Sequence, residues 1–340
     1  MSKTKCIIIL SEKSSGSSAC QNLIHDFTGA KFIAKTRHFE NETLYWVKAA
    51  SILGMEQLKA LNSEVPIPPR KARRDLIRLL LDNAPGFLPP KDDRELIFGG
   101  WKSLCESHQP IFLEKSPHHL YQWSALNLIM EFAEKHPEID FLVIGLIRNP
   151  MDTLYSQFSR WRSAPKKLQF QWMTAYQNLR KLKGLLGDKL MLVRYEDMVD
   201  SLDCMLPIFR FCGLDPDKLP KSSLHRDALS KWKKDKRFGF ILAEPVKQFA
   251  RSFGYTDFEL DNTSNPGWPF YEFLARISYK AKLALSKMWF WRQNGGRHAG
   301  PGAKILNGPP GLARLKSRTR HSAATVTAVS IVTAAILTWT

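Results

Sequence analysis

The stretch KCIIILSEKSSGSSAC, residues 5–20, decides the fold assignment. Its apolar run, residues 6–10, ends in a serine-rich loop around Gly16, and a helical pattern begins near Gln21. A strand, a loop and a helix start in this order place backbone N–H groups and the positive end of a helix around an anion. The stretch lacks the Gly-Lys-Ser/Thr ending of a nucleoside triphosphatase loop. The sequence therefore predicts a P-loop-like anion-binding loop after the first strand, for an anion still to be identified.

Further apolar runs indicate the rest of the sheet. The candidate strands are residues 6–10, 141–147 and 189–193, with a shorter one at 110–113. Helical patterns lie between them, at residues 73–81, 122–135, 151–161, 169–186 and 202–212. Continuous apolar runs are typical of parallel strands that helices cover on both faces. The alternation predicts an α/β fold, a three-layer sandwich with a central parallel sheet. Prolines at residues 66–69 and 85–90 indicate a less regular insertion.

The net charge indicates which partners the protein can have, and the cysteine spacing indicates its cellular compartment. A net charge of +18 favours anionic partners. Glu272 is the last acidic residue, however, and eleven Lys and Arg residues follow it. The five cysteines have neither metal-binding nor paired spacing, which indicates a reducing compartment. Since no signal peptide precedes the first strand, we expect a cytoplasmic protein.

Composition divides the chain into four parts. Residues 1–265 form the predicted α/β domain, 266–294 a basic amphipathic helix, 295–321 a Gly/Pro-rich basic linker expected to be disordered, and 322–340 a weakly hydrophobic segment. The helix either docks on the domain core or lies on a membrane surface. The last segment is uncharged, and a helix of that length spans about 28 Å, enough for a thin bilayer. It also contains seven Ser and Thr residues, so a membrane anchor and membrane association both stay open.

An arginine ends the strand predicted at residues 141–147. Arg148 lies at the carboxyl end of a parallel strand, on the face where open α/β sheets bind ligands. Ser156 follows about two turns up the helix that begins near Pro150. A guanidinium and a hydroxyl together can hold a phosphate, although an arginine at a strand end is also typical of a structural ion pair.

Four motifs in order strengthen the phosphate interpretation. They are IIILSEKSSGSSA (residues 7–19), FLEKSPHHL (112–120), LVIGLIRNPMDTLYSQFSRW (142–161) and LVRYEDM (192–198). Together they resemble the sulfotransferase family, whose donor is 3′-phosphoadenosine 5′-phosphosulfate (PAPS). The resemblance covers about residues 5–255.

The resemblance implies a donor site in the first loop and at two strand ends. Ser15, Gly16, Ser17 and Ser18 would contact the 5′-phosphosulfate, Arg148 and Ser156 the 3′-phosphate, and Tyr195 the region of the adenine. Ser14 stands where the family usually has Lys or Arg, and Lys13 lies one residue earlier. Either Lys13 reaches the sulfate, or another cation supplies the charge.

The catalytic residues are also implied by the resemblance. The cytosolic branch of the family uses a Lys-Thr-His motif, whereas this chain has Lys115-Ser116-Pro117. The carbohydrate-modifying branch instead has Glu-Lys-Thr/Ser-Pro and a Glu-Asn-Glu stretch, and this chain has both, at residues 114–117 and 40–42. This similarity implies Glu42 as the base and Lys115 near the sulfuryl and leaving oxygens.

Other residues near Glu42 remain candidate bases. Glu40 and His38 lie in the same stretch, and His118 and His119 follow the second motif. Glu40 and Glu42 are also compatible with a role at the start of the following helix, where acidic residues are common.

The sequence thus predicts sulfuryl transfer from PAPS to a hydroxyl acceptor, a carbohydrate or a glycolipid. Residues 53–102, which would face the acceptor, carry no decodable signature. A sulfuryl group carries less charge than a phosphoryl group, so no metal is expected, and no nucleic-acid partner is expected. One rival is a P-loop kinase-like phosphotransferase, which needs the missing Gly-Lys-Ser/Thr ending. Another is a non-enzymatic basic protein that binds anionic lipid or nucleic acid through its tail.

Overall fold

A four-stranded parallel sheet forms the centre of the fold. The structure, a computed structural model, describes residues 3–215 and 226–293. The strands are β1 (Lys5–Leu10), β2 (Ile111–Lys115), β3 (Asp140–Ile147) and β4 (Leu190–Arg194), in the order β2-β1-β3-β4. Cys6 of β1 lies opposite Phe112 on one side and Phe141 on the other. All three pairings are parallel, which confirms the four predicted strands.

Fourteen helices appear in the described ranges. They are α1 (Ser17–Thr28), α2 (Tyr45–Ile52), α3 (Pro69–Asn83), α4 (Asp93–Ser107), α5 (His118–Tyr121), α6 (Trp123–Lys135), α7 (Pro150–Trp161), α8 (Pro165–Leu186), α9 (Tyr195–Asp200), α10 (Leu206–Cys212), α11 (Lys231–Lys234), α12 (Glu244–Arg251), α13 (Asp257–Leu260) and α14 (Trp268–Gln293). Short 3-10 turns lie between some of them, including one at Phe39–Asn41.

Helices cover both faces of the sheet. Ile7 and Ile9 of β1 pack in one core with residues of α1, α9 and α10. Cys6 and Ile8, on the opposite face, pack in a second core with residues of α2, α4, α6 and α8. Successive side chains of a strand point to opposite faces, so a strand buried on both sides reads as one apolar run. The predicted three-layer α/β architecture is therefore confirmed.

The segment between α2 and β2 is more regular than expected. Residues 53–102 contain all of α3 and most of α4, and the sequence patterns did not predict α4. The Asp92 side chain caps α4 by accepting a hydrogen bond of 2.8 Å from the backbone N–H of Glu95. Trp101 of α4 is fully buried and packs on Trp46 of α2. An acidic cap and a buried aromatic were the available signals for this helix.

Internal contacts separate two units, Met1–Ile277 and Ser278–Thr340, whereas a boundary after residue 265 stays a prediction. The linker at 295–321 and the segment at 322–340 lie outside the described residues. Within the ranges that the structure describes, no helix is both long and apolar enough to cross a bilayer.

The strand ends define where ligands can bind. The first loop (residues 11–16) follows β1, Lys115 ends β2, Arg148 follows β3 and Tyr195 follows β4. Because the strands are parallel, these four positions share one edge of the sheet.

Candidate active site

The backbone of the first loop requires glycine at one position. Ser14 has a φ of 64° and Gly16 a φ of 88°, both in the left-handed region. A Cβ on Gly16 would lie 2.2 Å from the Tyr195 ring. Position 16 therefore needs both the conformational freedom and the small size of glycine.

The side chains of the first loop point in different directions. The Ser15 hydroxyl lies 3.1 Å from the Tyr176 hydroxyl, inside the core. Lys13 Nζ donates to the carbonyl oxygens of Leu61 (3.4 Å) and Asn62 (3.2 Å), and burial lowers its pKa. The Ser14 hydroxyl is buried and has no hydrogen-bond partner among the described residues.

Helix α1 presents open donors at the end of this loop. It begins at Ser17, and its N-cap, Gly16, offers no side-chain hydrogen bond. The first N–H groups of a helix have no partner within the helix, and the helix dipole adds positive potential there. Ser17 and Ser18, in this first turn, therefore lie where an anion is favoured.

Lys115 is the buried cation of the site. Its side chain is fully buried at the end of β2, and Nζ donates to Ser18 Oγ at 3.0 Å. Nζ also lies 3.7 Å from Glu40 Oε2 and 3.8 Å from Glu42 Oε1. A buried ammonium needs oxygen partners, and here the first turn of α1 and the 40–42 stretch supply them.

Glu42 lies between the buried lysine and a histidine. Its side chain is 17% exposed, and Oε2 lies 3.6 Å from His118 Nδ1. Burial lowers the pKa of His118, so the imidazole next to Glu42 is favoured in its neutral form. Glu42 thus combines a charged neighbour with access from solvent.

Glu40 is held more tightly than Glu42. It accepts hydrogen bonds from Ser18 Oγ and from Arg160 Nη2, the latter at 3.3 Å. Burial alone would raise the pKa of Glu40, but these hydrogen bonds and the charge of Lys115 hold it below its usual value. The Glu40 carboxylate therefore occupies the position between Ser18 and Lys115, here called the oxygen-binding position because both groups can bind an anionic oxygen there.

An unusual backbone positions both carboxylates. Glu40, Asn41 and Leu44 all have positive φ, at 52°, 59° and 51°. Side-chain-bearing residues rarely adopt this conformation, and such strain concentrates at functional sites. The stretch is tied down just beyond Glu42, because Ser116 Oγ accepts from the backbone N–H of Thr43 (3.0 Å) and of Leu44 (3.1 Å).

Glu114 supports this stretch from within the core. It is buried, and its Oε1 accepts hydrogen bonds of 2.6 Å from both Thr43 and Ser116. The Glu-Lys-Ser-Pro motif therefore has divided roles: Glu114 and Ser116 position the 40–44 stretch, whereas Lys115 faces the site.

Arg148 lies at the other end of the site. Its Nη1 donates to the Ser14 carbonyl at 2.9 Å and its Nη2 to the Ala228 carbonyl at 2.7 Å. The guanidinium stacks 4.6 Å from the Tyr195 ring centre. Its Nε is buried and, in the described part of the chain, has no hydrogen-bond partner.

The two other predicted donor-site residues differ in placement. Tyr195 bridges the site, because its ring contacts both Gly16 and Arg148. Ser156 lies on α7, half-buried, and within the described ranges its hydroxyl makes no hydrogen bond to Arg148. Every predicted site residue therefore lies at the carboxyl edge of the sheet or on the helices next to it, but only some of them touch one another.

The remaining candidate bases are less suited to accept a proton. His119 is fully buried, with Nε2 3.5 Å from Glu114 Oε1. His38 lies 3.4 Å from Glu64, and burial lowers its pKa to about 4. A weak base that is occupied by another carboxylate is a poor acceptor for a hydroxyl proton.

Several residues that support the loop were not predicted from the sequence. Glu12 is buried beneath it and accepts a 2.9 Å hydrogen bond from Gln171, and burial raises its pKa. The Tyr176 hydroxyl contacts Ser15 and donates to the Leu146 carbonyl at 3.1 Å. Arg160 reaches Glu40. Only tertiary packing reveals these contacts, although Glu12 next to an apolar strand was a visible signal.

Two further observations concern the chemistry of the chain. In the ranges 3–215 and 226–293, no three His, Cys, Asp or Glu side chains are grouped to hold a metal ion. All five cysteines are free thiols, and three of them, Cys6, Cys20 and Cys105, are buried.

The fold is an α/β sandwich, and the carboxyl edge of its sheet carries a buried lysine, an arginine and a helix N-terminus without a side-chain cap. Residues 7–218, more than half of the chain, match the Sulfotransferase family, and the chain belongs to that family. Among solved structures, a sulfotransferase from Alicyclobacillus acidocaldarius is similar at 10% identity and a TM-score of 0.39, over 74% of this chain and 92% of that one. No curated protein matches the sequence.

Proposed function

We propose that this chain transfers a sulfuryl group from PAPS to a hydroxyl group of a carbohydrate or a glycolipid. The observation that carries the proposal is the position of Lys115. A fully buried ammonium contacts Ser18 of the first helical turn and lies within 4 Å of Glu42. A cation between a candidate donor loop and a candidate base is what transfer between two bound partners requires.

The donor would lie along the carboxyl edge of the sheet. The open N–H groups at Ser17 and Ser18, with Gly16, would hold the 5′-phosphosulfate. Arg148 would read the 3′-phosphate through its Nε, which has no hydrogen-bond partner in the described ranges, and Tyr195 would lie near the adenine. Ser156 is the second residue of the proposed 3′-phosphate site, where the bound phosphate would contact both its hydroxyl and the Arg148 guanidinium.

The first loop also suggests how the charge missing at Ser14 is replaced. Lys13 is occupied by two carbonyl oxygens of residues 61 and 62, and the Ser15 hydroxyl by Tyr176. Lys115 is already in contact with Ser18. We therefore assign the cation beside the sulfuryl group to Lys115, with Lys13, Ser14 and Ser15 contributing through the loop backbone.

The chemical step is an in-line displacement at sulfur. The acceptor oxygen attacks the sulfur, and the bond from sulfur to the bridging phosphate oxygen breaks with its electron pair on that oxygen. Lys115 stabilises the charge that develops there. The proton of the acceptor hydroxyl passes to Glu42, so the products are a sulfate ester and adenosine 3′,5′-bisphosphate.

The geometry favours Glu42 over its neighbours as the base. Glu40 accepts from Ser18 and Arg160, and its lowered pKa makes it a weak base. Glu42 accepts no such hydrogen bonds within the described ranges, and it remains partly exposed to an incoming acceptor.

The acceptor class rests on motif similarity. The Glu-Asn-Glu stretch at residues 40–42 and the motif at 114–117 resemble the carbohydrate-modifying branch of the family.

The buried free thiols agree with the predicted cytoplasmic location, where thiols stay reduced.

A ligand comparison tests the proposal. Adenosine 3′,5′-bisphosphate, without added metal, should raise the melting temperature of the full chain, because a ligand that binds only the folded state stabilises it. ATP with magnesium should raise it much less. The opposite ranking would favour the kinase-like phosphotransferase, and no shift with either ligand would remove the donor assignment.

A further inference from the structure

A stripe of exposed apolar side chains runs along α14. It consists of Phe270, Phe273, Leu274, Ile277, Ala281, Ala284, Leu285 and Met288, all of them exposed. At about 3.6 residues per turn, these positions fall within roughly 120° of the helix circumference. Soluble monomers rarely leave a continuous apolar surface of this kind uncovered.

The opposite side of the first turns of α14 is already occupied. Trp268 is only 6% exposed, and its ring lies 4.9 Å from that of Phe158 and 4.8 Å from that of Phe238. Tyr271 also packs on Phe158, at 6.0 Å. Trp268 and Tyr271 therefore pack on the core of the first unit, and the stripe is a second apolar face without a partner among the described residues.

Basic residues border the stripe on both sides. By helical position, Arg276 and Lys280 lie along one edge and Lys282 lies beyond the other, and all three are exposed. The lone acidic residue of α14, Glu272, is 3.5 Å from Arg276. No acidic residue follows Glu272 in the sequence, whereas eleven Lys and Arg residues do.

We propose that this face of α14 docks on an anionic lipid bilayer surface, with the helix lying flat. The apolar side chains would enter the boundary between headgroups and acyl chains, and the flanking Lys and Arg side chains would reach the lipid phosphates. From Phe270 to Met288 the stripe extends about 27 Å along the helix axis.

The basic residues along α14 favour an anionic bilayer surface over the alternative partners of the stripe. A second copy of the chain would bring two acid-poor basic helices together, and like charges oppose that contact. A helix that crosses the bilayer is not expected, because the charged residues on both edges would enter the hydrocarbon, and none of the described helices qualifies as a span.

Vesicle sedimentation of the full chain tests the proposal. The probes are vesicles of phosphatidylcholine alone and of phosphatidylcholine with about one-third phosphatidylserine, at about physiological ionic strength. The wild type should bind the anionic vesicles and leave the neutral ones largely free. The double variant Leu274→Ser/Ile277→Ser should bind the anionic vesicles about tenfold more weakly, because two apolar side chains no longer enter the interface.

Matched controls separate the stripe from general surface effects. Leu81→Ser/Leu88→Ser removes two exposed leucines elsewhere, with exposures of 55% and 85%, and should leave vesicle binding unchanged. Lys280→Glu/Lys282→Glu should weaken binding to anionic vesicles, whereas Lys31→Glu/Lys91→Glu, two exposed lysines outside α14, should do so much less. Each variant should keep the wild-type shift in melting temperature with adenosine 3′,5′-bisphosphate, which reports on folding independently of lipid.

Three outcomes would overturn the proposal. The first is a wild-type protein that does not bind anionic vesicles. Equal binding by wild type and Leu274→Ser/Ile277→Ser would assign the binding to other basic residues. A lipid-free dimer that the same double variant converts to a monomer would make a second copy of the chain the partner of the stripe.

Discussion

The two cations of the site are neutralised in different ways. Lys115, at the end of β2, has two carboxylates within 4 Å, those of Glu40 and Glu42. Arg148, after β3, donates to two backbone carbonyls and, among the described residues, has no carboxylate within ion-pair distance. The first cation is paired with carboxylates before any ligand arrives, whereas the carboxylates that interact with the second, those of Asp152 and Glu196, lie beyond ion-pair distance.

This difference assigns separate tasks to the two ends. A guanidinium without a direct carboxylate partner can pair closely with a phosphate and therefore suits the end that provides affinity. A lysine shared with two carboxylates gains less from a bound anion but is already aligned with a proton acceptor, which suits the end that provides rate. Substitutions at the two ends should therefore change different measured quantities.

The largest expected effect is on turnover, at the Lys115 end. Glu42→Gln keeps the shape of the side chain but cannot accept the proton, so kcat should fall about 10²–10⁴-fold while the affinity for adenosine 3′,5′-bisphosphate stays nearly constant. Steady-state kinetics with calorimetric binding measures both. Near-normal kcat in this variant would refute Glu42 as the base and make His118, beside it, the next residue to test.

The next largest effect is on affinity, at the Arg148 end. Arg148→Ala should weaken adenosine 3′,5′-bisphosphate binding by about 2–3 kcal/mol, or roughly 30–150-fold, and should barely change the binding of adenosine 5′-monophosphate. Calorimetric titration with both nucleotides measures the difference. Arg194→Ala is the matched control, since Arg194 also ends a strand but lies 3.6 Å from Glu259. Equal losses for both nucleotides would show that Arg148 does not read the 3′-phosphate.

A smaller change should come from the carboxylate that occupies the oxygen-binding position. Glu40→Gln removes a negative charge beside Ser18 and Lys115, so the affinity for adenosine 3′,5′-bisphosphate should rise about three- to tenfold, while kcat should fall far less than in Glu42→Gln. Weaker nucleotide binding in this variant would mean that Glu40 supports the donor site rather than competing with the donor.

The same carboxylate should leave a signature in the pH dependence of stability. A folded-state pKa below the usual 4.5 means that Glu40 stabilises the fold above pH 4.5 and that this contribution is lost as the pH falls through the folded pKa. Wild type should therefore melt at a higher temperature than Glu40→Gln at neutral pH, and the gap should close in acid. Thermal unfolding across pH, with the exposed substitution Glu56→Gln as control, measures it. A gap that is constant with pH would contradict the assigned ion pairs.

The smallest expected effect is that of chelation. If Lys115 and the N–H groups of the first turn of α1 stabilise the leaving oxygen, then EDTA should leave turnover unchanged. Loss of activity that magnesium restores would refute the role of Lys115 at its end of the site, because a metal ion would then supply the charge assigned to this lysine.

The sequence predicted the sheet because a strand that is buried on both faces appears in the sequence as an unbroken apolar run. The runs at residues 6–10 and 141–147 are apolar without alternation, and short runs of this kind between helical patterns are typical of buried parallel strands. Helix α4 was missed although its buried residues recur at helical spacing, because two adjacent glycines, Gly99 and Gly100, weaken the local helix signal. Trp101 of this helix packs on the distant Trp46. Such contacts between distant segments are not visible in local composition.

The site was predicted by residue type but not by contact. Motif similarity suggested Glu42, Lys115 and Arg148, yet nothing in the sequence indicated that Lys13 would donate to residues 61 and 62 or that Arg160 would reach Glu40. Side-chain direction in a loop depends on backbone torsions such as the positive φ of Glu40, and spacing along the chain does not reveal them.

The close approach of Gly16 to Tyr195 links positions that are far apart in the chain. Tyr195 stacks on Arg148, and Arg148 donates back to the Ser14 carbonyl, so the contacts form a closed circuit that returns to the loop where it began. A methyl group at position 16 fits only if the side chain at 195 shrinks or moves, and a moved ring would carry the guanidinium with it. Because φ at position 16 is also positive, a smaller side chain at 195 would remove this clash but not the backbone strain, so a substitution of Gly16 would disturb the loop and Arg148 together.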